Sequence, residues 1–163
     1  MPLTKDDAVQ IHDRLIAEHG GTSGILNERM IEFAVATASR KKDPVYEAAS
    51  VLEFIAKNHP FTDGNKRTAF ASAATVLRLD GHALVAQDEA AIGFMLEVSA
   101  NGLTLAEIAS WLKDRLERLE EAEAHSMKPD EEDRPGSEEE TKRSAIQETL
   151  EAHKELMKKL SKL

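Results

Sequence analysis

The run His59-Pro60-Phe61-Thr62-Asp63-Gly64-Asn65-Lys66-Arg67-Thr68-Ala69 separates two apolar stretches with helical spacing. Before it, Ala48, Ala49, Leu52, Ile55 and Ala56 recur at three- and four-residue intervals, which predicts a helix over 45–58 that Pro60 ends. After it, Ala69, Phe70, Ala73, Val76 and Leu77 predict a helix over 66–79, stopped at Gly81. A polar, charged loop wedged between two buried helices is hard to explain by packing alone.

Working outward, Thr4 and Asp7 suit the cap of a first helix, which Gly20-Gly21 stops. A second helix begins near Asn27 and carries Met30, Ile31, Ala34, Val35 and Ala38 on one side. Residues 40–44 break it, and residues 38–46 leave room for a short β-hairpin flap. A fifth helix is expected over 88–100. Thr104 and Glu107 form a capping-box pattern, and the stripe Leu105, Ile108, Ala109, Leu112, Leu116 and Leu119 predicts a last domain helix reaching 119. No strand-like alternation of any length appears, so the expected fold is all-α, a compact bundle of about six helices.

The 163 residues carry 21 Lys+Arg against 30 Asp+Glu, a formal charge of −9. That charge is uneven: −4 over 1–119, −8 over 120–140 and +3 over 141–163. All seven aromatic residues precede position 120. A domain over 1–119 is therefore expected, then an acidic flexible linker over 120–140 and an amphipathic helix over 141–163. The absence of Cys excludes a disulfide framework, a thiolate nucleophile and Cys-ligated zinc. The six histidines form no zinc-binding spacing, and no Gly-x-Ser-x-Gly elbow occurs. No apolar run approaches the ~18 residues of a membrane span, which points to a soluble, cytoplasmic chain. The acidic balance argues against direct nucleic-acid binding.

The loop itself gathers the parts of phosphoryl or nucleotidyl transfer to a hydroxyl. His59 exchanges a proton near neutral pH. Asp63 is a hard oxygen ligand of the kind Mg²⁺ takes when it bridges phosphates. Gly64 allows close backbone approach, Asn65 offers an amide, and Lys66 and Arg67 bring positive charge to a helix start that already favours anions. Singly, each has a structural reading: His59 as a C-cap, Asp63 as an N-cap, Lys66-Arg67 as an exposed pair, Phe61 as a plug beneath the loop.

HPFTDGNKRTA resembles the Fic signature HPFx(D/E)GNxR, in the version HxFxDxNKRTA of death-on-curing (Doc) toxins. HGGTSGILNERMIEFAVA (19–36) and YEAASVLEFIAKNHPF (46–61) also resemble segments of that family, so the likeness spans about residues 3–119. The resemblance implies the Fic fold, with His59 as general base, Asp63 holding Mg²⁺ on the nucleotide, Gly64 and Asn65 in an anion hole, and Lys66 and Arg67 on phosphate. Adenylyl-transferring members usually have Gly at the Lys66 position and a second Arg at the Phe70 position, whereas Doc toxins share the Lys and an apolar residue. It thus implies a protein Ser/Thr kinase that uses ATP and Mg²⁺, with elongation factor Tu as target and arrested translation as outcome. A Fic-type adenylyltransferase and a catalytically silent Fic-fold binding module stay open as alternatives. Gly64 departs from the best-known Doc motif, and Asn27 and Phe33 stand where the family often has Asp and Ser. Arg40-Lys41-Lys42 falls where Fic enzymes place a substrate-docking flap.

Beyond the linker, Ser137 and Glu140 suggest a cap, and Ile146, Leu150, His153, Met157 and Leu160 recur at 4-3-4-3 spacing. This stripe suits a free amphipathic tail, a homodimer through the C-terminal helix, or a return onto the cleft. Fic proteins are often inhibited by a helix carrying (S/T)xxxE(G/N). Ser144-Ala145-Ile146-Gln147-Glu148 fits its first part and makes Glu148 a candidate inhibitory residue, although Thr149 departs from Gly/Asn. Doc toxins are instead neutralised by a separate antitoxin of the Phd type.

Overall fold

The computed structural model describes residues 1–119 and 137–163. Among them are eight helices and one two-stranded ladder: α1 (Lys5–His19), α2 (Glu28–Ser39), α3 (Pro44–Asn58), α4 (Asn65–Leu79), β1 (His82–Leu84), α5 (Asp88–Ser99), α6 (Leu105–Lys113), β2 (Leu116–Arg118), α7 (Glu138–Ala152) and α8 (Lys154–Leu160). The all-α expectation holds. No helix among the described residues is long and apolar enough to cross a membrane.

Two caps read from sequence, Thr4 with Asp7 and Thr104 with Glu107, form reciprocal capping boxes. The structure adds Asn27, which caps α2 through the Met30 N–H, and Asp43, which caps α3 ahead of Pro44. Helix α4 runs through the middle of the molecule, with Arg67 and every residue through Leu77 buried. Ala69, Ala71, Ala73 and Ala74 give it a slim surface, so α1, α3 and α7 approach it on different sides. A helix buried all round needs no single apolar stripe.

Two expectations are corrected. The chain is already turning into α3 at Asp43-Pro44, so residues 38–46 form no hairpin. The ladder lies elsewhere, pairing His82 with Arg118 and Leu84 with Leu116 in antiparallel register. Helix α6 accordingly stops at Lys113, short of the 119 that the leucine stripe suggested. Leu116 keeps the helical period but packs from a strand instead, a long-range pairing that local spacing does not reveal.

Residues 120–136 of the expected linker lie outside the described residues, and from Glu138 the chain is already in α7. The C-terminal stripe is broken at His153 into α7 and α8. Both helices lie against the bundle, and Ile146, Leu150, Leu156, Met157 and Leu160 are buried in the common core. Each such side chain contributes about 1.5–3 kcal/mol of burial before ordering costs. Lys142 adds an ion pair to Asp7 at 3.0 Å, tying α7 to the cap of α1.

Candidate active site

Helix α3 ends at His59, whose backbone N–H closes the last turn on the Ile55 carbonyl. His59 has left-handed dihedrals, φ 50° and ψ 60°, and Pro60 follows it. Glycine or asparagine would suit this C-cap position better, so a histidine here costs about 1 kcal/mol of backbone strain. Its imidazole is exposed. Strain retained for an exposed proton-transfer side chain points to a functional residue.

The loop that follows is pinned from below and from the side. Asn65 turns its amide back on Phe61, accepting from the Phe61 N–H at 3.0 Å and donating to the Phe61 carbonyl at 2.9 Å. The Phe61 ring is fully buried and stacks on His12 with centroids 4.0 Å apart. From the side, Ile25 bridges to Phe61, the Leu26 and Asn27 N–H groups donate to the Pro60 carbonyl, and the Thr62 N–H donates to the Gly24 carbonyl. The segment after α1 is thereby a brace for the loop.

Asp63 is held as an anion with its carboxylate partly open to solvent. Its Oδ2 accepts from the Thr22 N–H at 3.0 Å and its Oδ1 from the Gly64 N–H at 2.8 Å. The Thr22 hydrogen bond first, then that of Gly64 and the nearby Arg67 charge, hold its pKa below the ordinary carboxylate value against partial burial. Each oxygen keeps lone pairs free, so Asp63 fits a Mg²⁺ ion shared with phosphates, which needs only one or two protein carboxylates. No cluster of three or more His, Asp or Glu suited to hold a metal occurs among the described residues.

Helix α4 begins without a side-chain cap because Gly64, at φ 77°, stands in the N-cap position. The first helical bond is from the Thr68 N–H to the Gly64 carbonyl, leaving the preceding N–H groups without intrahelical acceptors. A bare helix start with Lys66 beside it is an anion nest. Arg67 points inward: 3% exposed, it donates to the Gly20 carbonyl at 2.9 Å, and burial lowers its pKa while Asp63 opposes the shift.

His59, Thr62, Asp63, Gly64, Asn65, Lys66 and Arg67 border one cavity of about 190 Å³. Every residue read from the loop as catalytic, metal-holding or phosphate-binding is therefore in one place. Asn65 and Arg67 border it while their side chains hold the loop and the end of α1. Glu148 is elsewhere: it pairs with Arg78 at 3.2 Å, toward the other end of α4. The C-terminal residues that do reach the cavity are Leu160, Ser161 and Leu163. Ser161 also borders a larger cavity of about 530 Å³ between α1 and the C-terminal helices.

Sequence reading missed two contributors. His12 donates from Nε2 to the Asp63 carbonyl at 2.8 Å across 51 residues, a link that leaves no local pattern. Gly21 lies so close that a Cβ there would sit 2.7 Å from Asp63 Oδ2 and 2.9 Å from the Arg67 guanidinium. The doubled glycine was the available signal, since one suffices to stop a helix.

Residues 2–77 match the family model described as "Fic/DOC family". The chain is also 41% identical over 68 residues to Toxin Doc of Mycolicibacterium smegmatis, a match covering 40% of this chain and 52% of that protein. The aligned part thus spans about half the length of the curated relative. The family match runs over α1, the brace, the loop after α3 and most of α4, so residues 2–77 of the chain resemble the Fic/DOC family.

Proposed function

We propose that this chain is a Doc-like toxin that transfers the γ-phosphate of ATP to a Ser or Thr hydroxyl of a protein, with elongation factor Tu as the target. The supporting observation is the joint placement of an exposed, strained His59, an anionic Asp63 and an uncapped helix start around one cavity. His59 takes the proton of the attacking hydroxyl. The N–H groups at the start of α4 and the Lys66 ammonium carry the charge of the phosphates. Asp63 would hold Mg²⁺, which supplies charge neutralisation on the phosphate oxygens when bound.

Phosphoryl transfer is favoured over adenylyl transfer by what α4 presents. Lys66 borders the nest, and Phe70 is fully buried against His153 with centroids 5.3 Å apart. That position offers no second arginine to the phosphates. The antitoxin partner belongs to the same reading: a toxin of this kind is paired with a neutralising protein, here of the Phd type. ATP labelled at either the α- or the γ-phosphate, incubated with Mg²⁺ and elongation factor Tu, separates the chemistries. Label from the γ-position alone is expected on the factor. Label from the α-position would establish the adenylyltransferase instead, and none from either would favour a silent binding module.

A further inference from the structure

We propose that His12 is a positioning residue that locks the Asp63–Gly64 peptide in the one orientation in which the loop can hold metal and phosphate. This rests on the transfer reading above. The peptide is planar and trans, so its carbonyl and its N–H point in opposite directions. The Asp63 carbonyl points down to His12 Nε2 at 2.8 Å, and a carbonyl only accepts, so Nε2 carries the hydrogen. The Gly64 N–H therefore points up, where it meets the Asp63 Oδ1 at 2.8 Å. One buried donor thus sets the carbonyl, the N–H and, through it, the carboxylate.

The lock is needed because of Gly64. At φ 77° and without a Cβ it opposes rotation of the preceding peptide weakly. A flip would aim the Asp63 carbonyl oxygen toward the nest, placing negative charge where phosphate must sit, and would free the carboxylate from Gly64. His12 itself has little freedom. It is fully buried on α1, stacked within 6° of parallel on Phe61, with Nδ1 3.1 Å from Asp13 Oδ1. Phe61 is in turn fixed through both backbone polar groups by Asn65, so the lock is rigid at each joint.

His12→Phe keeps the ring stack and removes the donor, whereas His12→Gln restores an N–H at the loss of the stack. Two readouts apply to the full-length chain. The first is Mn²⁺ affinity in the presence of ATP, by electron paramagnetic resonance. The second is the Gly64 amide resonance in ¹⁵N-labelled protein without ligand. His12→Phe is expected to weaken Mn²⁺ at least tenfold and to shift or broaden the Gly64 amide, with His12→Gln recovering most of the affinity. Wild-type affinity and an unmoved Gly64 amide in His12→Phe would overturn the lock. Equal loss in both variants would also overturn it, since packing alone would then explain His12. Should the wild type bind no Mn²⁺ with ATP, the transfer reading fails, while a Gly64 amide disturbed in His12→Phe alone would still sustain the lock.

Discussion

At the scale of single residues, the site is a set of compromises between stability and chemistry. His59 stands at the C-cap that its position suggested, and its imidazole is exposed, as the proposed base requires. Replacing His59 by Gly removes the left-handed strain as well as the base. We expect target modification to vanish while unfolding free energy by urea titration stays level or rises by up to about 1 kcal/mol. A loss of stability would show that the imidazole is a structural prop. Gly21 gives a second test, since Gly21→Ala drives a Cβ into Asp63 and Arg67 at a backbone angle of φ 121°. Its melting temperature is expected to fall, and its Mn²⁺ affinity with ATP to fall as well. The grouping of 59–67 around one cavity was legible in sequence because its parts are contiguous. His12 was not, because its partner is a backbone carbonyl far along the chain.

Elements were legible where caps and breakers mark them and obscure where partners are distant. Helices α1 to α3 start at residues with local caps, whereas α6 yields to a strand whose mate precedes α5. The C-terminal stripe showed an amphipathic helix but not what covers it, because a groove and a second copy demand the same spacing. His153, at the break between α7 and α8, is a chemical marker of that docking. Burial, then the Arg78 charge, depress its pKa to about 4, with Asp88 opposing. The folded state therefore binds fewer protons than the unfolded state between about pH 4 and 6.5, so stability rises with pH across that window. Acidification from pH 6.5 to 4 should cost about 3 kcal/mol from this group, and His153→Phe should flatten that part of the pH–stability curve. An unchanged curve would mean that His153 is solvated. At the other end of the contact, Asp7 serves both the α1 capping box and the nearly buried Lys142. Asp7→Ala is expected to lose about 1–3 kcal/mol by chemical denaturation, since it removes the nearest partner of Lys142 while Glu138 remains at 3.7 Å.

On the scale of the whole molecule, the C-terminal helices complete the core and bring Leu160, Ser161 and Leu163 to the site. Leu160, Ser161 and Leu163 help to confine the cavity to about 190 Å³, below the roughly 300–1,000 Å³ of small-molecule sites. Removing everything after Leu119 would uncover the α4 face that carries Phe70 and confuse access with folding. A chain ending at Leu160 keeps the buried contacts, and it is expected to bind ATP with Mg²⁺ severalfold more tightly by calorimetry; equal affinity would show that the terminal residues do not limit access. The overall charge of −9 foretold none of this, because the acidity is concentrated over 120–140 while the site depends on a few groups around α4. On the proposed reading, His59 drives phosphoryl transfer to a protein hydroxyl. The most direct test is the intact mass of elongation factor Tu after incubation with this protein, ATP and Mg²⁺. One phosphoryl adduct is expected with the wild type and none with His59→Ala. An adenylyl adduct, no adduct with the wild type, or an adduct that survives His59→Ala would contradict that reading.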